Sequence, residues 1–146
     1  SLGEEINQNK KTLILRTSII GHEINSKNSL LEWFLNLKKN QCYGFVSAYF
    51  SGMPTIEIFN FLEKFILRNK KISGVYNLSS SKISKYNLLK KISNIYSKKI
   101  KIIKSKKLKI DRSLNSNKIK KLVNYKSPSW DDLIKNMYIN HNKDLR

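Results

Sequence analysis

Thr12-Leu13-Ile14-Leu15-Arg16-Thr17-Ser18-Ile19-Ile20-Gly21 passes from a continuous apolar run to polar side chains within a few residues. The run from Leu13 to Leu15 suits a strand buried on both faces of a parallel sheet, and Arg16, Thr17 and Ser18 arrive where such a strand ends. In open α/β sheets ligands bind in the crevice beyond the carboxyl ends of the strands, so Arg16-Thr17-Ser18 is a candidate site. A strand edge with hydrated Thr and Ser is the plainer alternative.

Upstream, Glu4 to Lys11 reads as the end of a helix whose beginning precedes Ser1. Downstream, Gly21-His22-Glu23 turns the chain. Ser26 or Asn28 can cap a helix that carries Leu30, Leu31, Phe34, Leu35 and Leu37 and ends near Asn40. Tyr43 to Phe50 is rich in aromatic and β-branched residues, as a strand is. Ser51-Gly52-Met53-Pro54-Thr55 then turns into a helix, with Thr55 as its N-cap and apolar residues at helical spacing to Lys70. Val75 to Leu78 predicts a short buried strand, and Ser84 caps a helix with Leu88, Leu89, Ile92, Ile95 and Tyr96 inward and Lys90, Lys91, Lys98 and Lys99 outward. Ile100 to Ile103 predicts a short edge strand guarded by lysine, and Leu108 to Ser116 an extended or looped segment. Asn117 to Val123 predicts a short helix. Ser129 and Asp132 form a capping-box pattern that opens a last helix from Trp130 to about Ile139, with a frayed tail from Asn140. Strands alternating with helices argue an α/β domain with at least partly parallel strands, one unit over residues 1–146.

The chain has 146 residues, 40% of them hydrophobic, which is enough to bury a core. Its single cysteine, Cys42, excludes an internal disulfide, and with only His22 and His141 beside it the chain offers no zinc set. Cys42 is most simply a small apolar residue beside a strand. No apolar run approaches the roughly 20 residues that span a bilayer, and the first residues are not a signal peptide, so a cytoplasmic protein without a membrane partner is expected.

The formal net charge of +19 invites a nucleic-acid reading, because Lys and Arg neutralise phosphates. Only four of the 29 basic residues are arginine, the better bidentate reader, and the lysines run from Lys10 to Lys143 without forming a block. Ile and Asn are abundant while Ala appears once, which fits codon drift at exposed positions. Net charge then speaks to solubility and non-specific association, and no specific nucleic-acid partner is expected.

The five glycines stand at 3, 21, 44, 52 and 74, too far apart for a dinucleotide fingerprint or a P-loop. Tyr86 and Lys90 have the Tyr-x-x-x-Lys spacing in which lysine lowers a tyrosine's pKa, but in so lysine-rich a helix the match reads as coincidence. Arg112 and Ser113, between a strand and a helix start, could take a phosphate with the planar guanidinium fork, or Arg112 could pair locally with Asp111. Thr55 stands at a helix start that favours an anion, and His22 follows a strand as a weaker candidate.

Leu2-Gly3-Glu4, Leu15 to Gly21, Tyr49-Phe50-Ser51-Gly52-Met53-Pro54-Thr55, Gly74 to Ser80, Asp111-Arg112-Ser113-Leu114-Asn115-Ser116 and Pro128-Ser129-Trp130 together carry a resemblance, in order along nearly the whole chain. They resemble the C-terminal part of nucleotide-sugar reductases of the extended short-chain dehydrogenase/reductase family, of the dTDP-4-dehydrorhamnose reductase type. The resemblance implies an extended Rossmann-type reductase whose N-terminal dinucleotide-binding half, with the glycine fingerprint and the catalytic Tyr-x-x-x-Lys, lies outside this chain. Gly3-Glu4 matches the residues that follow the family's catalytic lysine. No catalytic residue is therefore expected here.

By the same resemblance Thr17 and Ser18 face the nicotinamide end of the cofactor, while Arg16, Met53, Thr55, Arg112 and Ser113 contact the substrate; His22, from its place after a strand alone, is a further candidate for substrate contact. Related epimerases often carry Asn where Ile19 stands, so sugar contact at 19 is not implied. The implied cofactor is NAD(P) in the complete protein, with none held tightly by this chain alone. The implied partners are a nucleotide-sugar substrate and the missing N-terminal half, with a homodimer a candidate assembly of the complete enzyme. A basic module that binds nucleic acid or an acidic surface, and one half of a split enzyme, are the competing expectations.

Overall fold

The computed structural model describes residues 12–23, 29–69 and 71–144. The expected helix before Lys11 and the caps at Ser26 and Asn28 lie outside them. Strand β1 (Leu13–Arg16) leads through β2 (Ile19–Ile20) to helix α1 (Leu30–Leu35), which Ser29 caps by accepting the Glu32 N–H. Then come β3 (Gln41–Phe50), β4 (Met53–Pro54), α2 (Thr55–Phe61, continued by a π-helical turn over Leu62–Ile66), β5 (Gly74–Asn77) and β6 (Ile83–Ser84). Helix α3 (Lys85–Ile95), β7 (Lys101–Asp111), α4 (Asn117–Leu122) and α5 (Trp130–Asp144) complete the order. Strand–helix alternation thus holds, and the fold is mixed α/β.

Among the described residues the strands form three small sheets. β1 and β5 run parallel with Leu13 opposite Gly74 and Arg16 opposite Asn77; β2 and β4 run parallel; β3 is central between antiparallel β6 and parallel β7. One core gathers Leu31, Phe34, Cys42, Leu88, Ile92, Trp130 and Ile134 between α1, β3, α3 and α5. A second, around Met53, Phe61, Leu78, Ile119 and Tyr125, joins β4, α2 and α4. Where α3 crosses the central sheet, Gly44 leaves room that no other residue could: a Cβ there would stand 2.9 Å from the Tyr86 Cα and from Ile102.

Several local expectations are corrected. Leu13 to Leu15 are only half-buried and Val75 is 41% exposed, because among the described residues β1 pairs with β5 alone and the ribbon is not covered on both faces. Helix α1 stops at Leu35, well short of Asn40; Asn36 turns its side chain back on the Glu32 carbonyl, and the Lys98 ammonium takes the carbonyls of Leu35 and Leu37 at 2.7 and 2.8 Å. Lys98 is therefore a helix-end cap rather than a solvent-facing charge. Thr55 is the first helical residue and not the cap, since Pro54 pairs in β4 and holds the extended backbone that precedes the helix.

β7 is the largest departure. It is an eleven-residue strand, paired with β3 on either side of a bulge opposite Phe45–Ser47, where a four-residue strand and, from Leu108, an extended or looped segment were expected. The lysines of β7 conceal the period-2 signal, and parallel pairing leaves no hairpin turn to announce it. α5 likewise runs on to Asp144 instead of fraying from Asn140, because Met137 stays in the core and Tyr138 packs edge-on to Tyr96.

Candidate functional site

The polar turn after β1 is pinned from two sides. Leu78 N–H donates to the Arg16 carbonyl and Met53 N–H to the Ser18 carbonyl, both at 2.8 Å. Gly52 sits against the Ser18 carbonyl and the Phe50 ring, too close for any Cβ, which is why the loop after β3 can approach at all. Beyond these strand ends opens a cavity of about 360 Å³. Its floor is apolar, with Ile20, Leu30, Phe50 and Ile110; its polar groups are Ser18, Ser29, Tyr49, Lys85 and Arg112.

Arg112 is held at the cavity by a chain of hydrogen bonds. Its N–H extends the β3–β7 ladder to the Tyr49 carbonyl, and the next residues are anchored by buried serines. Leu114 N–H donates to Ser51 Oγ at 2.8 Å, Ser79 Oγ donates to the Leu114 carbonyl at 2.9 Å, and the Ser79 and Ser116 hydroxyls meet at 3.0 Å. Asp111 does not pair with its neighbour Arg112. Its carboxylate takes Lys82 Nζ at 2.5 Å and the Ser113 N–H and hydroxyl at 2.9 and 2.6 Å, and these bonds, Lys82 foremost, hold it down at about 2. Arg112 therefore keeps its charge for the cavity.

The structure brings Ser18 and Arg112, far apart in sequence, to this one space. Arg16 is exposed at the end of β1 and Thr17 half-buried beside it. Ser113 is turned onto Asp111 and Met53 is fully enclosed in the second core, so its side chain packs rather than facing a ligand. Thr55 and His22 flank a second, more open cavity of about 460 Å³ with Phe59, Met137 and His141.

Both ring nitrogens of His22 are engaged: Nδ1 lies 2.7 Å from Glu32 Oε1 and Nε2 2.9 Å from the Tyr96 hydroxyl. Since the carboxylate only accepts, Nδ1 carries the proton and Nε2 accepts from Tyr96. Burial lowers the His22 pKa, partly opposed by the Glu32 bond and reinforced by His141, so the ring is neutral at pH 7. Burial likewise drives the Tyr96 phenol upward, which keeps it a donor. His22 is thus a fastener between β2, α1 and α3, not an open ligand group.

Lys85 and Tyr49 line the main cavity although their types and positions gave no sequence signal. Lys85 is one of many lysines, and Tyr49 read as strand. The buried serines that anchor the loop were equally silent. Tyr86 packs on Gly44 with the Lys90 and Lys104 ammonium groups 5.9 and 5.5 Å from its ring centre, a packing arrangement. Among the described residues no cluster of His, Cys, Asp and Glu could hold a metal ion, and Cys42 is buried in β3. No helix is long and apolar enough to cross a membrane among them.

Solved structures share this fold. A dTDP-4-dehydrorhamnose reductase from Bacillus anthracis in complex with NADP superposes with a TM-score of 0.74 at 17% identity over 89% of this chain and 48% of its own. The chain has the fold of about half of that reductase. A reductase of the same description from Clostridium acetobutylicum gives 0.72 at 15% identity, covering 89% of this chain and 49% of its own. A UDP-N-acetylglucosamine 4-epimerase from Bacillus cereus gives 0.68 at 15% identity, with 89% and 48% covered. The chain thus spans about half the length of these reductases and epimerases. No family model and no curated protein matches it by sequence.

Proposed function

We propose that this chain is the substrate-binding, C-terminal part of an NAD(P)-dependent nucleotide-sugar reductase or epimerase that works in polysaccharide precursor synthesis in the cytoplasm. The observation that carries the reading is the convergence of Ser18, from the end of β1, and Arg112, from the end of β7, on one cavity at the strand ends. Arg112 presents a guanidinium with five donors and no competing acid, the chemistry that takes a diphosphate. The apolar floor suits a flat ring face. Arg16 and Thr17, at the end of the same strand, stand toward the reacting end of the bound sugar and cofactor.

NAD(P) would be held chiefly by the half of the enzyme that lies outside this chain; its chemistry is hydride transfer, and this chain's share is to bind and orient the sugar. Hydride and proton transfer are assigned to that other half. The test is calorimetric titration of the protein with dTDP-glucose and UDP-N-acetylglucosamine, beside NAD(P)H turnover on a 4-keto nucleotide sugar. Micromolar binding that depends on Arg112 supports the reading. No binding of either nucleotide sugar by the full-length protein overturns it.

A further inference from the structure

We infer that Lys85 is a second phosphate-binding side chain, which with Arg112 fits the cavity to a diphosphate diester carrying one charge on each phosphorus. The inference rests on the nucleotide-sugar reading above and adds to it a residue from a different element. Lys85 is the first residue of α3, whereas Arg112 follows β7, so two cations enter one space from separate supports. Among the described residues no carboxylate lines that space.

The acid next to Arg112 in sequence is already bound by Lys82 and Ser113, and among the described residues neither Lys85 nor Arg112 makes an ion pair. Two cations with no described acid beside them line about 360 Å³ of partly apolar space, a setting that an anion would complete. Lys85 also stands against the dipole of its own helix, whose first turn holds no acid to offset it. A local arrangement that opposes folding is the kind retained where a ligand later supplies the missing charge. A diphosphate between nucleoside and sugar offers one charged phosphoryl to each cation.

The experiment titrates the full-length protein with dTDP-glucose at two salt concentrations. Lys85→Gln should weaken binding about tenfold or more and flatten the salt dependence, the loss expected when one charge-assisted hydrogen bond goes. Lys85→Arg should stay within a few-fold of the natural protein. Lys90→Gln, on the same helix but outside the cavity, should change nothing. Unaltered binding by Lys85→Gln while Arg112→Gln is weakened overturns this inference and leaves the functional reading standing. A natural protein that binds no nucleotide sugar overturns both. Equal weakening by Lys85→Gln and Lys85→Arg with unchanged salt dependence also overturns it, since that pattern marks a packing role.

Discussion

The imidazoles of His22 and His141 lie face to face, 3.5 Å between ring centres and 9° from parallel. One belongs to the turn after β2 and the other to the end of α5, so the stack ties the last helix to the site-bearing side of the fold. Glu32 of α1 and the Tyr96 hydroxyl after α3 hold the His22 ring from its edges.

Acid should loosen this tie. The folded pKa of His22 is lowered, mainly by burial, so the stability it contributes is fully present above its unfolded value near 6.5 and is lost as the pH falls through the folded value. Protonation would also make a donor of the Nε2 that now accepts from Tyr96, and would set the ring's positive charge against the stacked His141. Thermal unfolding between pH 7.5 and 5 should show the melting temperature falling on the acid side, and His22→Gln should show a shallower fall. Equal slopes for the two proteins would refute the assignment of this pH dependence to His22.

Lys98 supplies a second test, because its ammonium ends α1 by taking the carbonyl of Leu35, its last residue, and that of Leu37 just beyond it. Lys98→Met keeps the side-chain stem and removes the donor. It should cost about 1.5 to 3 kcal/mol in urea unfolding, the range for a hydrogen bond to a charged group. The same change at Lys99, which is exposed, should cost less than about 0.5 kcal/mol. If the two variants unfold at the same urea concentration, Lys98 is not a cap.

Much of the architecture was legible because it depends on periodicity. The apolar faces of α1 and α3, the capping of α3 by Ser84 and the Ser129–Asp132 box all follow from local rules, and Ser84 and Ser129 accept the N–H groups of Asn87 and Asp132 as expected. β7 was not legible, because its pairing with β3 is parallel and distant and its surface is lysine. At the site, Arg112 stood out as a rare arginine between elements, and Ser18 as the polar end of an apolar strand. Lys85 carried no such mark: what distinguishes it from the other lysines is the cavity it enters, which only the folded chain defines.

Gly44 tests the crossing of α3 over β3. A methyl group there would meet the Tyr86 Cα at 2.9 Å, and backbone atoms cannot swing away as side chains do. Gly44→Ala should therefore destabilise the chain by about 1 to 3 kcal/mol, the usual cost of overpacking. Because Tyr86 and Lys85 are adjacent, the displaced helix should also carry Lys85 away from the cavity and weaken dTDP-glucose binding. A variant that melts like the natural protein would mean that α3 lies further from the sheet.

Arg112 separates a nucleotide-sugar site from a diffuse attraction of the chain's charge for polyanions. In a built site, Arg112→Ala removes the donor fork at the cavity and should weaken dTDP-glucose binding by about 1.5 to 3 kcal/mol. Lys109→Ala, exposed on β7 and outside the cavity, should leave it unchanged. A polyanion binder behaves in the opposite way, because its lysines are interchangeable. Removing Lys104, Lys106, Lys107 or Lys109 would each weaken DNA binding modestly, and the salt slope would shrink by about one for every phosphate no longer neutralised. Both variants should be titrated with dTDP-glucose and with single-stranded and duplex DNA at two salt concentrations. The site reading requires that Arg112→Ala alone affects the nucleotide sugar and that DNA binding fades at physiological salt. Tight DNA binding that persists there and falls with the lysines, without nucleotide-sugar binding, would sink it.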